Sequence, residues 1–200
     1  MGSPESPLAR IKAGTDTLHH KLDRQSVMQC LMAPDLDRVR YAAVLRRLHA
    51  CYAALEPPLQ GYRQTLPQPP AWFDARYYHR CGDLALDLQA LGHAAVDPPD
   101  PSAGAAPRPG NLAEAAGAIY VLAGASLGAR IIERQLRVQL EAGPELLHFF
   151  GQRAEPGLPG WPALRQALDA ALADPADEAL ALDMAQRVYG HFMFHLGPPL

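Results

Sequence analysis

A serine motif is the first feature of this chain that could do chemistry. Gly124-Ala125-Ser126-Leu127-Gly128 matches G-x-S-x-G, the turn that presents the nucleophilic serine of many hydrolases. That turn follows a strand, for which residues 118–122 are candidates, and it needs a surrounding parallel sheet with an aspartate and a histidine later in the chain. The motif therefore predicts a serine hydrolase only if the chain forms such a sheet.

The same glycines allow a second interpretation. Gly124 and Gly128 are four residues apart, so in a helix they lie on one face and leave a strip where the backbone itself is the surface. Each interior glycine costs a helix roughly 0.5–1 kcal/mol relative to alanine. Either a flat ligand approaches this strip, or another helix packs there through small residues. The residues alone leave both possibilities open.

The eight histidines are the other candidates. His19 is placed by the pattern on the apolar side of the first predicted helix, where it would be either a hydrogen-bonded core residue or a ligand. His191 and His195 are four residues apart and could share a metal, but no carboxylate or cysteine is near them in the sequence. Four further histidines are expected on the surface or in loops: His20, His49, His79 and His93.

Glu145 and His148 form an E-x-x-H, which is half of the motif that holds two irons in ferritin-like bundles. Such a centre needs a second E-x-x-H, and the sequence contains none. A di-iron site is therefore not predicted.

Composition and charge limit the class of protein. The 200 residues are 48% hydrophobic and 20% charged, which is typical of one globular domain, and a net charge of -3 gives no nucleic-acid footprint. Three cysteines without metal-ligand spacing and a start without an apolar signal segment indicate a cytoplasmic protein. The fifteen uncharged residues between Glu114 and Arg130 are too few to span a bilayer, which needs about 20. We therefore expect a single domain over residues 1–200, with neither a nucleic acid nor a membrane as partner.

Hydrophobic periodicity and capping residues predict helices along the whole chain. Ser6-Pro7 and Asp174-Pro175 each begin a helix, Asn111 and Glu114 form a capping box, and Pro57-Pro58 is expected to end the second helix. The predicted helices cover about residues 7–29, 37–56, 72–92, 111–140, 144–150, 161–172 and 175–196, and the proline-rich segment 97–110 is expected to be a loop. The last helix is expected to carry these residues on its core face: Leu180, Leu182, Ala185, Val188, Phe192 and Leu196.

No segment alternates with a period of two, and no β-branched run is bounded by turns. A parallel sheet therefore has nothing to be built from, and the predicted fold is all-α. Ser126 then becomes a small residue inside a helix, and the serine hydrolase is the weaker alternative.

Two segments resemble heme oxygenases. Ile11-Lys12-x-x-Thr15-x-x-x-His19-x-x-Leu22-Asp23 is similar to the first helix of that family, in which a lysine, a threonine and the iron-ligating histidine stand at these spacings. Tyr120-Val121-Leu122-Ala123-Gly124-Ala125-Ser126-Leu127-Gly128 is similar to the distal helix of its bacterial form. Further matching segments follow in the family's order, at residues 41–59, 87–92, 149–151, 161 and in the last helix, so the resemblance covers nearly the whole chain.

The resemblance implies a helical bundle with heme between a proximal helix and a kinked, glycine-rich distal helix. His19 would ligate the iron, and Asp23 or a backbone carbonyl would accept a hydrogen bond from its other nitrogen. Gly124 and Gly128 would be the catalytic positions, because their backbone could approach the heme and leave room for dioxygen. The other residues that it places at the cofactor are Lys12, Tyr120, Ser126, Arg130 and Arg134, with Lys12 and the two arginines as partners of the propionates.

The implied activity is the cleavage of heme by dioxygen to biliverdin, ferrous iron and carbon monoxide. Heme would be both substrate and cofactor. Electrons would come from a ferredoxin or a flavoprotein reductase, since the chain has no dinucleotide fingerprint. A biliverdin acceptor such as a bacteriophytochrome is a further implied partner.

Three alanines depart from the family's pattern. Ala123, Ala125 and Ala129 stand where bacterial relatives commonly have a glutamate, a serine and a glycine. Without a polar side chain at position 125, proton delivery would depend on ordered water or backbone groups, and Ala129 would stiffen the kink. A heme-binding or heme-transfer protein of the same fold that has lost turnover is therefore the alternative function, and a helical domain that binds no heme, with His19 in its core, is a third.

Overall fold

The structure is a computed structural model that describes residues 5–93, 106–151, 158 and 160–197. Seven α-helices lie in this part of the chain: α1 Pro7–Asp23, α2 Ser26–Met32, α3 Arg38–Thr65, α4 Cys81–Ala90, α5 Leu112–Gln139, α6 Trp161–Ala171 and α7 Pro175–Leu196. Two 3-10 helices, Ala75–Tyr77 and Pro144–Leu146, complete the elements. The described residues contain no strand, which confirms the all-α prediction. Residues 97–105 of the predicted proline-rich loop lie outside the described part.

The bundle is organised around α7. Both α5 and α1 pack along α7, and α3 packs against it with α4 at its side. Ala181, Ala185 and Val188 recur at helical spacing on its buried face. Leu180 was predicted to join them but is 40% exposed, because it lies beside this face in the second turn of the helix.

α5 and α7 approach each other closely at one glycine. A Cβ added to Gly117 would overlap the backbone carbonyl group of Ala181. Gly117 therefore lets the two backbones touch, which is the use of small residues that brings helices together.

α5 also has the length and apolarity of a membrane-crossing helix. However, 56% of its most apolar window is buried inside the bundle. A core helix of a soluble protein meets the same criteria, and α5 is packed as one.

Helix caps follow the sequence closely. Ser6, Asp37, Asn111 and Asp174 each accept a hydrogen bond from a backbone N–H in the first turn of their helix. The predicted capping box differs in one bond, because Glu114 accepts from the N–H of Gly110 and not from that of Asn111. Gly92, with a φ of 80°, ends α4 as predicted.

The predicted ends of the first two helices are wrong. The first helix does not continue to residue 29, because Gln25 is extended and separates α1 from α2. After this break, Val27 and Leu31 of α2 lie in the core, where both are fully buried. The second helix does not end at Pro57-Pro58 but continues to Thr65, since Leu55 and Leu59 keep one face buried across the prolines.

Two further segments are less helical than predicted. Residues 72–80 form only the turn Ala75–Tyr77, and α4 begins at Cys81, where Glu56 accepts hydrogen bonds from the N–H groups of Arg80 and Cys81 at 2.6 and 2.7 Å. Residues 144–150 form one 3-10 turn. This turn is held by buried Asp87, whose carboxylate replaces the bonds that a longer helix would have made internally.

Candidate functional site

The predicted site residues lie mainly on α1 and α5. Both helices pack on α7 and make few direct contacts with each other, so α7 lies between them along this side of the bundle. Tyr189 of α7 is buried, and its ring centroid is 6.1 Å from that of His19 on α1. The ring of Tyr120 on α5 lies 6.0 Å from that of Trp161 on α6. These ring contacts join α1 to α7 and α5 to α6.

His19 is not a core residue. Its side chain is 55% exposed, and its Nδ1 lies 3.2 Å from Oδ2 of Asp23. The core face of α1 is formed by Leu8, Ile11 and Thr15, and a rotation of 100° per residue places His19 at the edge of that face. The expectation that its position is apolar is therefore wrong, whereas Asp23 lies where its carboxylate can orient the ring. If Nδ1 carries the proton toward Asp23, Nε2 keeps a free electron pair for a metal.

The two tyrosines near His19 are neutral phenols. Burial raises the pKa of Tyr189 well above its usual range, and the nearby Tyr120 and the acidic groups of Asp23 and Asp16 raise it further. Burial also raises the pKa of Tyr120, partly opposed by a hydrogen bond with Thr15. The two phenols thus carry no charge at neutral pH.

The glycine strip of α5 is open at Gly128 and is contacted at Gly124 by a side chain of α6. A Cβ added to Gly128 would meet nothing within 4 Å, and one added to Gly124 would lie 3.6 Å from the ring of Trp161, an ordinary contact. The glycine that packs against a helix is Gly117, two turns earlier. Helix packing therefore does not occur at Gly128, whose backbone is exposed, whereas Gly124 lies beside Trp161 at the start of α6.

Ser126 has none of the geometry of a hydrolase nucleophile. It lies within α5, half-buried, and its hydroxyl donates to the carbonyl of Ala123 at 2.6 Å. A nucleophile elbow needs a strand before the serine, and the described residues contain none. The hydrolase alternative is therefore excluded.

Three predicted cationic residues are at the surface. Lys12 is exposed on α1, two turns before His19 and on the same face of that helix. Arg130 and Arg134 are exposed on α5, in the turns that follow Gly128. All three are thus at the surface of the two helices that carry the predicted site.

The other histidine motifs have structural roles. Nδ1 of His148 lies 2.8 Å from Oδ1 of Asp87, while Glu145 is exposed, so this E-x-x-H is not half of an iron centre. His191 donates from Nε2 to the carbonyl of Cys51 at 3.1 Å, and its ring centroid is 4.5 Å from that of His195. The pair is a packed contact inside the bundle.

Sequence reasoning missed Tyr189 altogether, although it follows Val188 on the predicted last helix. Its burial depends on the approach of α1 and α5 to α7, which the periodicity of one helix cannot show. A surface pocket of about 490 Å³ lies along α2. Asp23, the predicted hydrogen-bond partner of His19, is in its lining, but His19 and the glycines of α5 are not. The pocket is therefore not the predicted site.

The kinds of residue on these two helices suit a flat, metal-bearing ligand. One imidazole on α1 can offer a free nitrogen, the α5 backbone lies open at Gly128, and Lys12, Arg130 and Arg134 are exposed on the same two helices. The side chains present thus fit the heme that the sequence resemblance implies.

Comparison with known proteins agrees with this fit. The family model described as heme oxygenase matches residues 6–196. A protein named heme oxygenase, from Xanthomonas campestris pv. campestris (strain 8004), is 34% identical over 171 residues. The similar region covers 83% of this chain and 94% of that relative.

Proposed function

Because this chain belongs to the heme oxygenase family, an enzyme family of heme degradation, we propose that it cleaves heme to biliverdin, ferrous iron and carbon monoxide. The family implies heme and dioxygen as substrates. The observation that carries the more specific proposal is the position of His19 on α1. Its side chain is half-exposed, its Nδ1 lies 3.2 Å from Oδ2 of Asp23, and its ring lies beside that of Tyr189.

His19 ligates the iron through Nε2 in this proposal. The carboxylate of Asp23 accepts from Nδ1, which fixes the ring's tautomer and increases its basicity as a ligand. When bound, heme supplies both the iron that activates dioxygen and the porphyrin ring that is cut. The protein's contribution is to fix the orientation of the ring and the space on its other side.

Gly124 and Gly128 set that space. With no side chain at Gly128, the α5 backbone could come close to a bound heme, and its peptide groups would offer the polar contacts on that side. Ala125 is exposed and offers no hydroxyl, so we propose that protons arrive through water and backbone groups. Tyr120 and Ser126 line the site from the same helix.

Lys12, Arg130 and Arg134 pair with the heme propionates. A surface ion pair contributes only about 0–1 kcal/mol, so these residues orient the macrocycle more than they hold it. By orienting the heme, these residues would decide which biliverdin isomer forms.

The wider setting follows from the same proposal. The chain is a single cytoplasmic domain of residues 1–200 that receives electrons from a ferredoxin or a flavoprotein reductase. Its biliverdin passes to an acceptor such as a bacteriophytochrome. Neither nucleic acid nor a membrane takes part.

The ligand assignment is tested with His19→Ala and His20→Ala. The two histidines are neighbours, both are more than half exposed, and each pairs with an aspartate one turn away, so His20→Ala is a matched control. We expect hemin titration of His19→Ala to lose the six-coordinate histidine spectrum, and added imidazole to restore part of it. A normal spectrum in His19→Ala, with loss in His20→Ala, would show that the ligand is assigned to the wrong residue.

The alternative function, heme binding or transfer without turnover, is favoured by the alanine at position 125. Adding a reductase or ascorbate to the heme complex separates the two functions. Only the enzyme converts the Soret band of heme into biliverdin absorption, and a stable ferrous heme spectrum under these conditions would favour the transfer protein.

A further inference from the structure

One face of α1 carries four residues with metal-binding side chains. At 100° per residue, Asp16, His19, His20 and Asp23 lie within an arc of about 100°. The ligand atoms of His19, His20 and Asp23 all lie within 4.8 Å of one another. All three side chains are exposed, with values of 55%, 62% and 51%. Each can therefore change rotamer without disturbing the core.

The types of ligand atom in this group indicate which metals it could bind. Two imidazoles and one carboxylate are the ligands of the facial sites that hold divalent iron, and the same groups suit the neighbouring first-row metals. Metal–nitrogen bonds of about 2.1 Å require donor atoms roughly 3 Å apart. His19 Nδ1 and Asp23 Oδ2 are already 3.2 Å apart, and a ligand atom of His20 lies within 4.8 Å of both residues' ligand atoms, so rotation of exposed side chains is enough to close the site.

The geometry points to a second, heme-free state of this helix: His19, His20 and Asp23 bind one divalent first-row transition-metal ion, and heme and that ion exclude each other because they share His19. The exclusion rests on the proposed role of His19 in heme binding, whereas the metal site itself does not. Ferrous iron, the metal product of the proposed reaction, belongs to this class of ions.

The competing structural role of these side chains is weak. His20 pairs with Asp16 at 3.4 Å and His19 with Asp23 at 3.2 Å, but exposed i, i+4 pairs stabilise a helix by only about 0.3–0.5 kcal/mol. Metal coordination can replace such contacts at little cost. Asp16 lies outside the three-ligand group, so it is the natural control.

The test uses tag-free, heme-free full-length protein titrated with Co²⁺, followed by visible absorption and calorimetry. We expect one ion per chain. His20→Ala removes one of the three ligands and should weaken Co²⁺ binding at least about 10-fold. Loss of a residue that only hydrogen-bonds to a ligand already lowers metal affinity by about that factor. Asp16→Asn should bind at least as tightly as wild type, because it frees His20 from its carboxylate. Saturation with hemin should release the Co²⁺.

The outcomes separate this proposal from the proposed function. Unchanged Co²⁺ affinity in His20→Ala, or thiolate charge-transfer bands that indicate cysteine ligands, would overturn the metal site. Co²⁺ that stays bound after hemin saturation would overturn the exclusion. The assignment of His19 to heme is judged separately, by the heme spectra of the His19→Ala and His20→Ala proteins, of which the latter is expected to keep the wild-type spectrum.

Discussion

Gly117 of α5 lies directly against the backbone of Ala181 on α7, so closely that any added Cβ would overlap the Ala181 carbonyl. A carbonyl group within a packed helix cannot move aside as a flexible side chain can. The requirement for glycine at this position is therefore structural.

Gly117→Ala is predicted to destabilise the fold. Overpacking of a close interface typically costs about 1–3 kcal/mol, because the helices must separate or shift. Urea unfolding should show a lower midpoint with a similar slope.

Gly128→Ala is the matched control, since it adds the same methyl group to the same helix where nothing lies within 4 Å. Replacing glycine by alanine in open helix should leave stability unchanged or raise it by about 0.4–1 kcal/mol. Equal losses of stability in the two variants would contradict the packing described for Gly117.

The glycines show what a single sequence can and cannot predict. Spacing placed Gly124 and Gly128 on one face of a helix, and both do lie within α5, where the backbone is open at Gly128. It could not decide which glycine meets another helix. That depends on where α7 crosses α5, a contact between residues more than 60 positions apart in the chain.

Asp87 is predicted to be a main stabiliser of the segment after α5. It is fully buried and accepts hydrogen bonds from the N–H groups of His148 and Phe149 at 2.7 and 3.0 Å, besides its contact with the His148 ring. Asp87→Ala leaves two backbone donors without their acceptor, at about 1–3 kcal/mol each. Urea unfolding should therefore show a loss of roughly 2–5 kcal/mol.

His148→Ala removes only the ring contact and keeps both backbone bonds to Asp87, so it serves as the control for this carboxylate. Its loss of stability should be clearly smaller than that of Asp87→Ala. Equal losses would mean that the imidazole, and not the capping of the backbone, holds the segment.

The stability of the protein is predicted to fall in mild acid through His195. Burial, helped by the neighbouring His191, lowers the pKa of His195 to about 4, from an ordinary value of 6.5. Between these values the unfolded chain binds a proton that the folded chain does not, so stability decreases as pH falls from about 6.5 to about 4. His195→Leu should reduce this slope, measured as the urea midpoint against pH.

Phe194→Leu is the control, since Phe194 is the exposed, non-titrating neighbour in the same turn of α7. It should keep the wild-type slope. A His195→Leu protein with the full slope would place the proton uptake on another group, such as His191, whose pKa is also lowered by burial.

The candidate site was only partly predictable for a physical reason. Lys12, His19 and Asp23 share one helix, so spacing alone could place them on one face. The exposure of His19 and the ring of Tyr189 beside it depend on how α1 lies on α7. Periodicity within a helix measures which face is apolar, but it does not show how far the neighbouring helices extend over the edge of that face.

The last prediction concerns the space at Gly128. A leucine there meets no protein atom near its Cβ, and leucine favours a helix more than glycine does, so Gly128→Leu should fold with an unchanged or higher melting temperature. If the α5 backbone borders the heme, the same side chain must occupy room meant for dioxygen. We therefore expect heme binding with the spectrum of a His19 complex, but a loss of most biliverdin formation in reductase-driven turnover.

Gly61→Leu provides the comparison, because Gly61 also lies within a helix, on α3, and a Cβ there meets nothing within 4 Å. That protein should keep both stability and turnover, which separates an effect of the bulky side chain at the heme from a general effect of replacing a helical glycine. Since Gly128 contacts no neighbouring helix, a loss of turnover in Gly128→Leu cannot be assigned to damaged packing as it could be at Gly117. Wild-type turnover in Gly128→Leu would show that the open backbone of α5 does not face the heme, and the assignment of α5 as the distal helix would have to be abandoned.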